Sequence, residues 1–365
     1  MTASVRTRAI RAAALTVSCG IAAGVWAAQT PTASSSGAPA AAAGSLVSAC
    51  HVSPIVTDLD TSARFYHDLL GLDLVPAPPP GPLPWDIDPG HLNLHGLPAA
   101  RLRFIGARMA GVRCGIELVE FANVDRKPVR RRYQDPGAAT IILTVRDIDG
   151  ALAALKSANV PVVTTGGSPI AMSTANKTRA VMVQDPDGHF VELVQIDPTP
   201  ETTLARASNV VGIGLRLTVA DVERAAAYYQ QVLGIQGPIR PFVRNPDVKA
   251  LVGLSSAPDT AEYRFTTVQM PGSTLMLELI EFKGIDSAKT PVPSRVQDPG
   301  SFRLQLTFRD IDVALARLKS AGGYVISTGG VPVRMTFGRP WLLSVVPDPN
   351  NLFLIVQQGP LPEAR

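Results

Sequence analysis

The chain repeats itself, and the repeat limits its possible folds more than any other feature. Asp58, Asp135 and Asp185 return 163 residues later as Asp221, Asp298 and Asp348. Long stretches match around them: VTDLDTSARFYHDLLGL with TVADVERAAAYYQQVLGI, QDPGAATIILTVRDID with QDPGSFRLQLTFRDID, and VVTTGGSP with VISTGGVP. A fainter repeat lies inside each half, where VTDLD at 56–60 recurs as VRDID at 145–149, a shift of 89. The chain is therefore built from four copies of one unit, and each copy must bury its apolar face against another.

Each unit reads the same way. A β-rich run ends at an Asp of helix-cap character. A helical stretch follows, with Leu59, Ala63, Tyr66 and Leu70 at helical spacing, closed in the first copy of each half by Gly71 or Gly234. Strands complete the unit, ending in IELVEF (116–121), VELVQI (191–196), LELIEF (277–282) and LFLIVQ (352–357). The expected fold is α+β, with four βαβββ modules. A four-stranded sheet with a helix on one face leaves the other face bare, and two modules side by side can curl those faces around a shared cavity.

The 365 residues suit two domains, and 46% hydrophobic with 18% charged residues is a globular composition. The N-terminus is set apart from this. Residues 1–28 read as a secretory signal: Arg6, Arg8 and Arg11, the apolar run AAALTVSCGIAAGVWAA, then a small-residue cleavage site. Ser18, Gly20 and Gly24 interrupt the run and argue against a permanent anchor. Thr16 argues against reading Cys19 as a lipidated cysteine. Residues 29–49 form a low-complexity spacer. The expected product is exported, to the periplasm or the exterior, with one domain at 50–198 and a second at 208–358. The formal charge of +4 falls to +1 once the signal's three arginines are removed. No acidic partner is implied, and the cluster DRKPVRRRY at 125–133 reads as a solvated connecting loop rather than a nucleic-acid patch.

The motifs HVSPIVTDLDTSARFYHDLLGL and QDPDGHFVELVQ, with the paired DPG segments, resemble the vicinal oxygen chelate superfamily. That superfamily includes glyoxalase I, extradiol dioxygenases, methylmalonyl-CoA epimerase and the bleomycin and fosfomycin resistance proteins. The resemblance spans about residues 50–358 and implies two such domains in tandem. It also implies four metal ligands in each domain, one from the first and one from the last strand of every module. Counted seven residues before each capping Asp, the first-strand positions are His51, Thr140, Gly214 and Arg303; the last-strand positions are Glu117, Glu192, Glu278 and Ile355. The first domain then presents His51, Glu117 and Glu192 as a metal set. The second is degenerate, with an Arg303–Glu278 pair of structural or ligand-orienting character. Thr140 stands where bacterial glyoxalase I has a second histidine, which leaves a weak site for Zn, Ni, Mn or Fe. His91 and His95, in HLNLH, are expected to line the cavity mouth, whereas TTGG and STGG read as turns.

Two functions follow from the resemblance. One is a metal-dependent lyase or isomerase acting on a small oxygen-chelating substrate, with Glu192 or Glu117 moving the proton. One His and two carboxylates fit an extradiol dioxygenase poorly. The other is a metal-free protein that binds a small molecule for resistance or sequestration. Oligomeric state and substrate are not legible. Cys50 and Cys114 each lie an odd number of residues from a proposed ligand, so both thiols should leave the cavity on the same side of the sheet. In an oxidising compartment they can pair.

Overall fold

The computed structural model describes residues 45–86, 88–109, 112, 115–173, 177–199, 208–337 and 339–359. The proposed signal, most of the spacer and Cys114 lie outside the described residues.

The four modules form as the repeat implies, except that the third has three strands among the described residues where the others have four. The first holds β1 (Leu46–Pro54), α1 (Leu59–Arg64), β2 (Asp73–Val75), α2 (Pro89–Leu94), β3 (Arg101–Arg108) and β4 (Gly115–Ala122). The second holds β5 (Ala139–Val145), α3 (Ile148–Ser157), β6 (Ile170–Ser173), β7 (Thr178–Gln184) and β8 (Phe190–Gln195). The third holds β9 (Val210–Thr218), α4 (Val222–Leu233), α5 (Pro246–Leu251), β10 (Glu262–Gln269) and β11 (Met276–Lys283). The fourth holds β12 (Phe302–Phe308), α6 (Ile311–Ser320), β13 (Val333–Phe337), β14 (Arg339–Pro347) and β15 (Phe353–Gln358). The repeated aspartates cap the main helices: Asp58, Asp147, Asp221 and Asp310 accept from first-turn amides of α1, α3, α4 and α6. Gly234 ends α4 at φ +70°, in the left-handed region that glycine adopts without a side-chain clash.

The sheets exchange modules between the repeats. One runs β13-β14-β15-β12-β1-β4-β3-β2 and joins the first module to the fourth. The other runs β10-β11-β9-β5-β8-β7-β6 and joins the second to the third. The antiparallel pairs β1–β12 and β5–β9 make the joins. The stretches 50–198 and 208–358 are thus units of sequence, each supplying strands to both sheets.

Side-chain alternation sorts the apolar residues to two destinations. On β4, Ile116 and Leu118 enter a core shared by both sheets, while Val119 and Phe121 face the concave side. The shared core holds the helices, since α1 meets α3 through its π-helical extension at Phe65–Leu69 and α4 meets α6. Inserted helices cover the concave faces. Leu94 of α2 packs with Leu343 and Phe353 in the first sheet, and Val248 and Leu251 of α5 pack with Tyr263 and Met182 in the second.

The loops that carry the chain between sheets interlock. Lys127 N–H donates to Asp298 at 2.8 Å, Ala288 N–H to Asp135 at 2.8 Å, and Val129 N–H to the Pro299 carbonyl at 2.8 Å. A Cβ on Gly300 would meet the Val129 carbonyl oxygen at 2.0 Å, so the crossing requires glycine there. The basic cluster belongs to this crossing. Arg131 donates to the Gly300 and Val292 carbonyls, and Arg132 binds Asp135 and Asp286. The segment is a connection, as its sequence implies, yet Arg131 is half-buried structure rather than solvated loop.

Cys50 is disulfide-bonded. Its neighbour His51 pairs with Gly115 in the parallel β1–β4 ladder. Thiol titration of the denatured chain, purified without reductant, is expected to find no free thiol at Cys50 or Cys114. Two free thiols per chain would refute the pairing.

Candidate functional site

Strand register builds the cavity of the first sheet. Ser53 pairs with Arg303 across β1–β12. The parallel β1–β4 ladder runs His51 to Gly115 and Val52 to Ile116, and the next step sets Ser53 beside Glu117, to which its hydroxyl donates at 3.3 Å. Helix α2 closes the cavity: Asp88 caps it, Pro89 opens it, and its last turn delivers His95, packed edge-on to Phe121 at 5.2 Å.

Arg303 is the hub. Its Nη2–H donates to Glu117 at 3.2 Å and its Nη1–H to His95 Nε2. His95 Nδ1–H donates to the His91 carbonyl at 2.8 Å, which leaves Nε2 as the acceptor of a neutral imidazole. Burial, and then the Arg303 charge, hold the His95 imidazole well below its ordinary pKa. Burial also lowers the Arg303 pKa, against the pull of Glu117. Arg303 is only 2% exposed, and its Nε–H is buried without an acceptor. The cavity holds about 70 Å³ and is lined by these three side chains with His91, Gln305 and apolar groups that include Phe104 and Ile355. One guanidinium, one carboxylate and one neutral imidazole make it close to neutral.

The corresponding place in the second sheet is filled. Arg216 pairs with Glu278 on β11 and with Thr140 on β5, and Glu192 enters from β8. Arg216 Nε–H donates to Glu278, and its Nη1–H donates to both Glu192 and the Tyr133 hydroxyl. Thr267 donates to the other Glu278 oxygen at 3.3 Å. Arg216 is 1% exposed and Glu192 0%. Burial raises the Glu278 pKa, with Arg216 opposing and Glu192 adding to the rise. The two carboxylates hold the Arg216 guanidinium charged in spite of its burial.

Several expectations are corrected by this geometry. His51, Glu117 and Glu192 do not form one set: Glu117 lines the first cavity, and Glu192 lies in the second sheet. His51 sits at an irregularity of β1 between Ala49 and Val52, where its Nδ1 accepts from Gly115 N–H at 3.3 Å, and it does not line the cavity. The reason is a count. The inward position lies five residues before the cap in the first and third modules but seven before it in the second and fourth, so it is Ser53 rather than His51, and Arg216 rather than Gly214. Arg303 pairs with Glu117 and not Glu278, because β12 joins β1. Thr140, Glu278 and Glu192 do converge, around Arg216. His91 and His95 both line the cavity, with His91 beside Asp86. Ser53, Gln305, Tyr133 and Arg216 were not singled out by sequence. Of these, Arg216 carried a signal: an arginine at an interior position of the apolar run VVGIGLRLTV.

Neither donor set fits a divalent ion. A guanidinium occupies the centre of each, and among the described residues no three His, Cys, Asp or Glu side chains converge on a metal-sized site.

Comparison with known proteins gives concordant results. A family model of the Glyoxalase/Bleomycin resistance protein/Dioxygenase superfamily matches residues 49–193 and 210–349. No curated protein matches. Among solved structures, glyoxalase I from Zea mays is 17% identical at a TM-score of 0.53, covering 85% of this chain and 92% of that one. A putative dioxygenase from Bacillus subtilis is 15% identical at 0.50, covering 87% of each. A Mn(II)-bound glyoxalase from Novosphingobium aromaticivorans is 15% identical at 0.26, covering 87% and 83%. For the first two, at these identities, the likeness is one of fold.

The buried cluster makes a direct prediction. Arg216→Met leaves two carboxylates buried against each other and should cost about 3–5 kcal/mol in urea denaturation. Adding Glu192→Gln and Glu278→Gln to that variant should restore most of the loss. A single variant of wild-type stability would show that the guanidinium does not hold the cluster together.

Proposed function

The chain belongs to the Glyoxalase/Bleomycin resistance protein/Dioxygenase superfamily, and from that premise we propose that it is a metal-independent small-molecule-binding protein of the fold. The observation that carries this reading is Arg303, a buried guanidinium held by Glu117 and His95 at a place where the family resemblance implies a metal ligand. A cation would have to displace a charge of its own sign. Without an ion, the lyase or isomerase reading loses the group that would acidify the substrate's carbon acid, and Glu192 is sealed away from Glu117 in the other sheet.

The cavity's chemistry suits a small ligand with an apolar body and one hydrogen-bond acceptor, such as a carbonyl oxygen. Its near-zero net charge favours a neutral molecule, and the buried Nε–H of Arg303 is a donor in want of an acceptor. Export supports sequestration outside the cytoplasm, and the disulfide at Cys50 supports an oxidising compartment. No described helix is long and apolar enough to cross a membrane.

Two measurements test the reading. Reconstitution of the untagged protein with Zn²⁺, Ni²⁺, Mn²⁺ and Fe²⁺ should leave less than about a tenth of an equivalent bound; a stoichiometric ion would overturn it. A thermal-shift screen of small neutral carbonyl compounds should yield binders whose shift grows with the logarithm of concentration. That shift should be lost in Arg303→Met.

A further inference from the structure

The two repeats differ at one corner in a way that opens a second site. In the first half, the turn after β7 is latched to the start of α1: the Asp187 carboxylate accepts from Thr57 N–H at 2.8 Å and from the Ser62 hydroxyl at 3.1 Å. Shifted by 163, the same positions are Asn350, Ala220 and Ala225. The carboxylate has become an amide and the hydroxyl a methyl group. A cleft of about 410 Å³ lies there, lined by Ala220, Arg224, Ala225, Tyr228, Lys289 and Asn350, among others. The first half keeps an opening beside Phe65, Ala158 and Pro186, but it does not reach Thr57 or Ser62.

Tyr228 is the residue that points to a ligand. It is 9% exposed, lines the cleft, and its hydroxyl is buried with no hydrogen-bond partner. Its counterpart in the first half is Phe65, buried at 3% exposure in the shared core. The fold therefore accepts an aromatic ring here without the oxygen, and burying that oxygen unpartnered forfeits its hydration for nothing in the protein. Burial and then the nearby Asp348 raise the Tyr228 pKa, so the hydroxyl stays protonated and can donate. The Asn350 amide nitrogen is also buried without an aligned acceptor, although it lies near enough to Asp348 and Tyr229 to influence both.

The charges select the ligand's sign. Arg224 and Lys289 are exposed on the rim and make no ion pair among the described residues. Asp221, the lining carboxylate, is committed as the α4 cap, accepting from Glu223 and Arg224 N–H at 2.9 and 3.0 Å. The Val222 amide is taken by Glu281. The first-turn amides of α4 are thus spent, and the free donors are side chains. We propose that this cleft binds a small organic carboxylate, its oxygens on Tyr228, Lys289 and Arg224 and its apolar body against Ala220, Ala225 and Pro349.

Isothermal titration of the full chain with benzoate at low salt tests this. One benzoate is expected per chain. Tyr228→Phe, which reproduces the first half's residue, should weaken binding by about tenfold or more, in keeping with loss of a hydrogen bond to a charged group. Ala225→Ser with Asn350→Asp rebuilds the first half's latch and should abolish binding while raising the melting temperature. Arg303→Met, which alters the other cavity, should leave benzoate affinity unchanged. The proposal fails if wild type takes up no benzoate at about 10 mM, a free energy of under 3 kcal/mol. It also fails if Tyr228→Phe and the latch variant bind as wild type does, if Arg303→Met loses the binding, or if inorganic phosphate binds more tightly than benzoate.

Discussion

The pairing of β1 with β12 and of β5 with β9 decides what each cavity contains. Had each repeat closed on itself, Glu117 and Glu192 would have faced one another. Crossing the modules puts Arg303 against Glu117 and Arg216 between Glu192 and Glu278. Each arginine arrives from the partner module, so each cavity's electrostatics are a property of the join. The interlocked loops reinforce the choice, since Asp135 and Asp298 bind backbone amides of the opposite crossing.

The two cavities answer the same problem differently. In the second sheet the guanidinium is matched by two carboxylates and a tyrosine, and α5 seals the space with Val248 and Leu251. Such a buried cluster gains little net stability from its ion pairs, because desolvation offsets attraction, but each member becomes costly to remove singly. In the first sheet one carboxylate is missing, its place taken by Ile355. Arg303 turns to His95 for its second partner and keeps an unsatisfied N–H. The imbalance is what leaves a cavity there.

The modular architecture was legible in the sequence because the repeats are long and the capping aspartates are fixed in register. Periodicity placed the strands, and Asp58, Asp147, Asp221 and Asp310 all cap as their sequence context implies. Two things were hidden. Which module pairs with which is a long-range decision, since every module presents the same kind of strand to its neighbour. The inward position was also obscured, because it lies two residues nearer the cap in the first and third modules than in the second and fourth. A two-residue offset preserves side-chain parity, so His51 looked as plausible as Ser53. Only the ladder to Gly115 and Ile116 distinguishes them.

The exchange of modules also orders the chain like nested brackets. The second sheet uses strands contiguous in sequence, from β5 through β11, while the first sheet draws its halves from the two ends of the chain. The inner sheet can close once its own residues are available; the outer one must wait for β12 and the strands after it, with β1 an open edge in the meantime. No single repeat can be cut out as a self-sufficient domain, since either cut leaves both sheets halved. This topology ties completion of the fold, and of the cavity holding Arg303, to arrival of the strands from both ends of the chain.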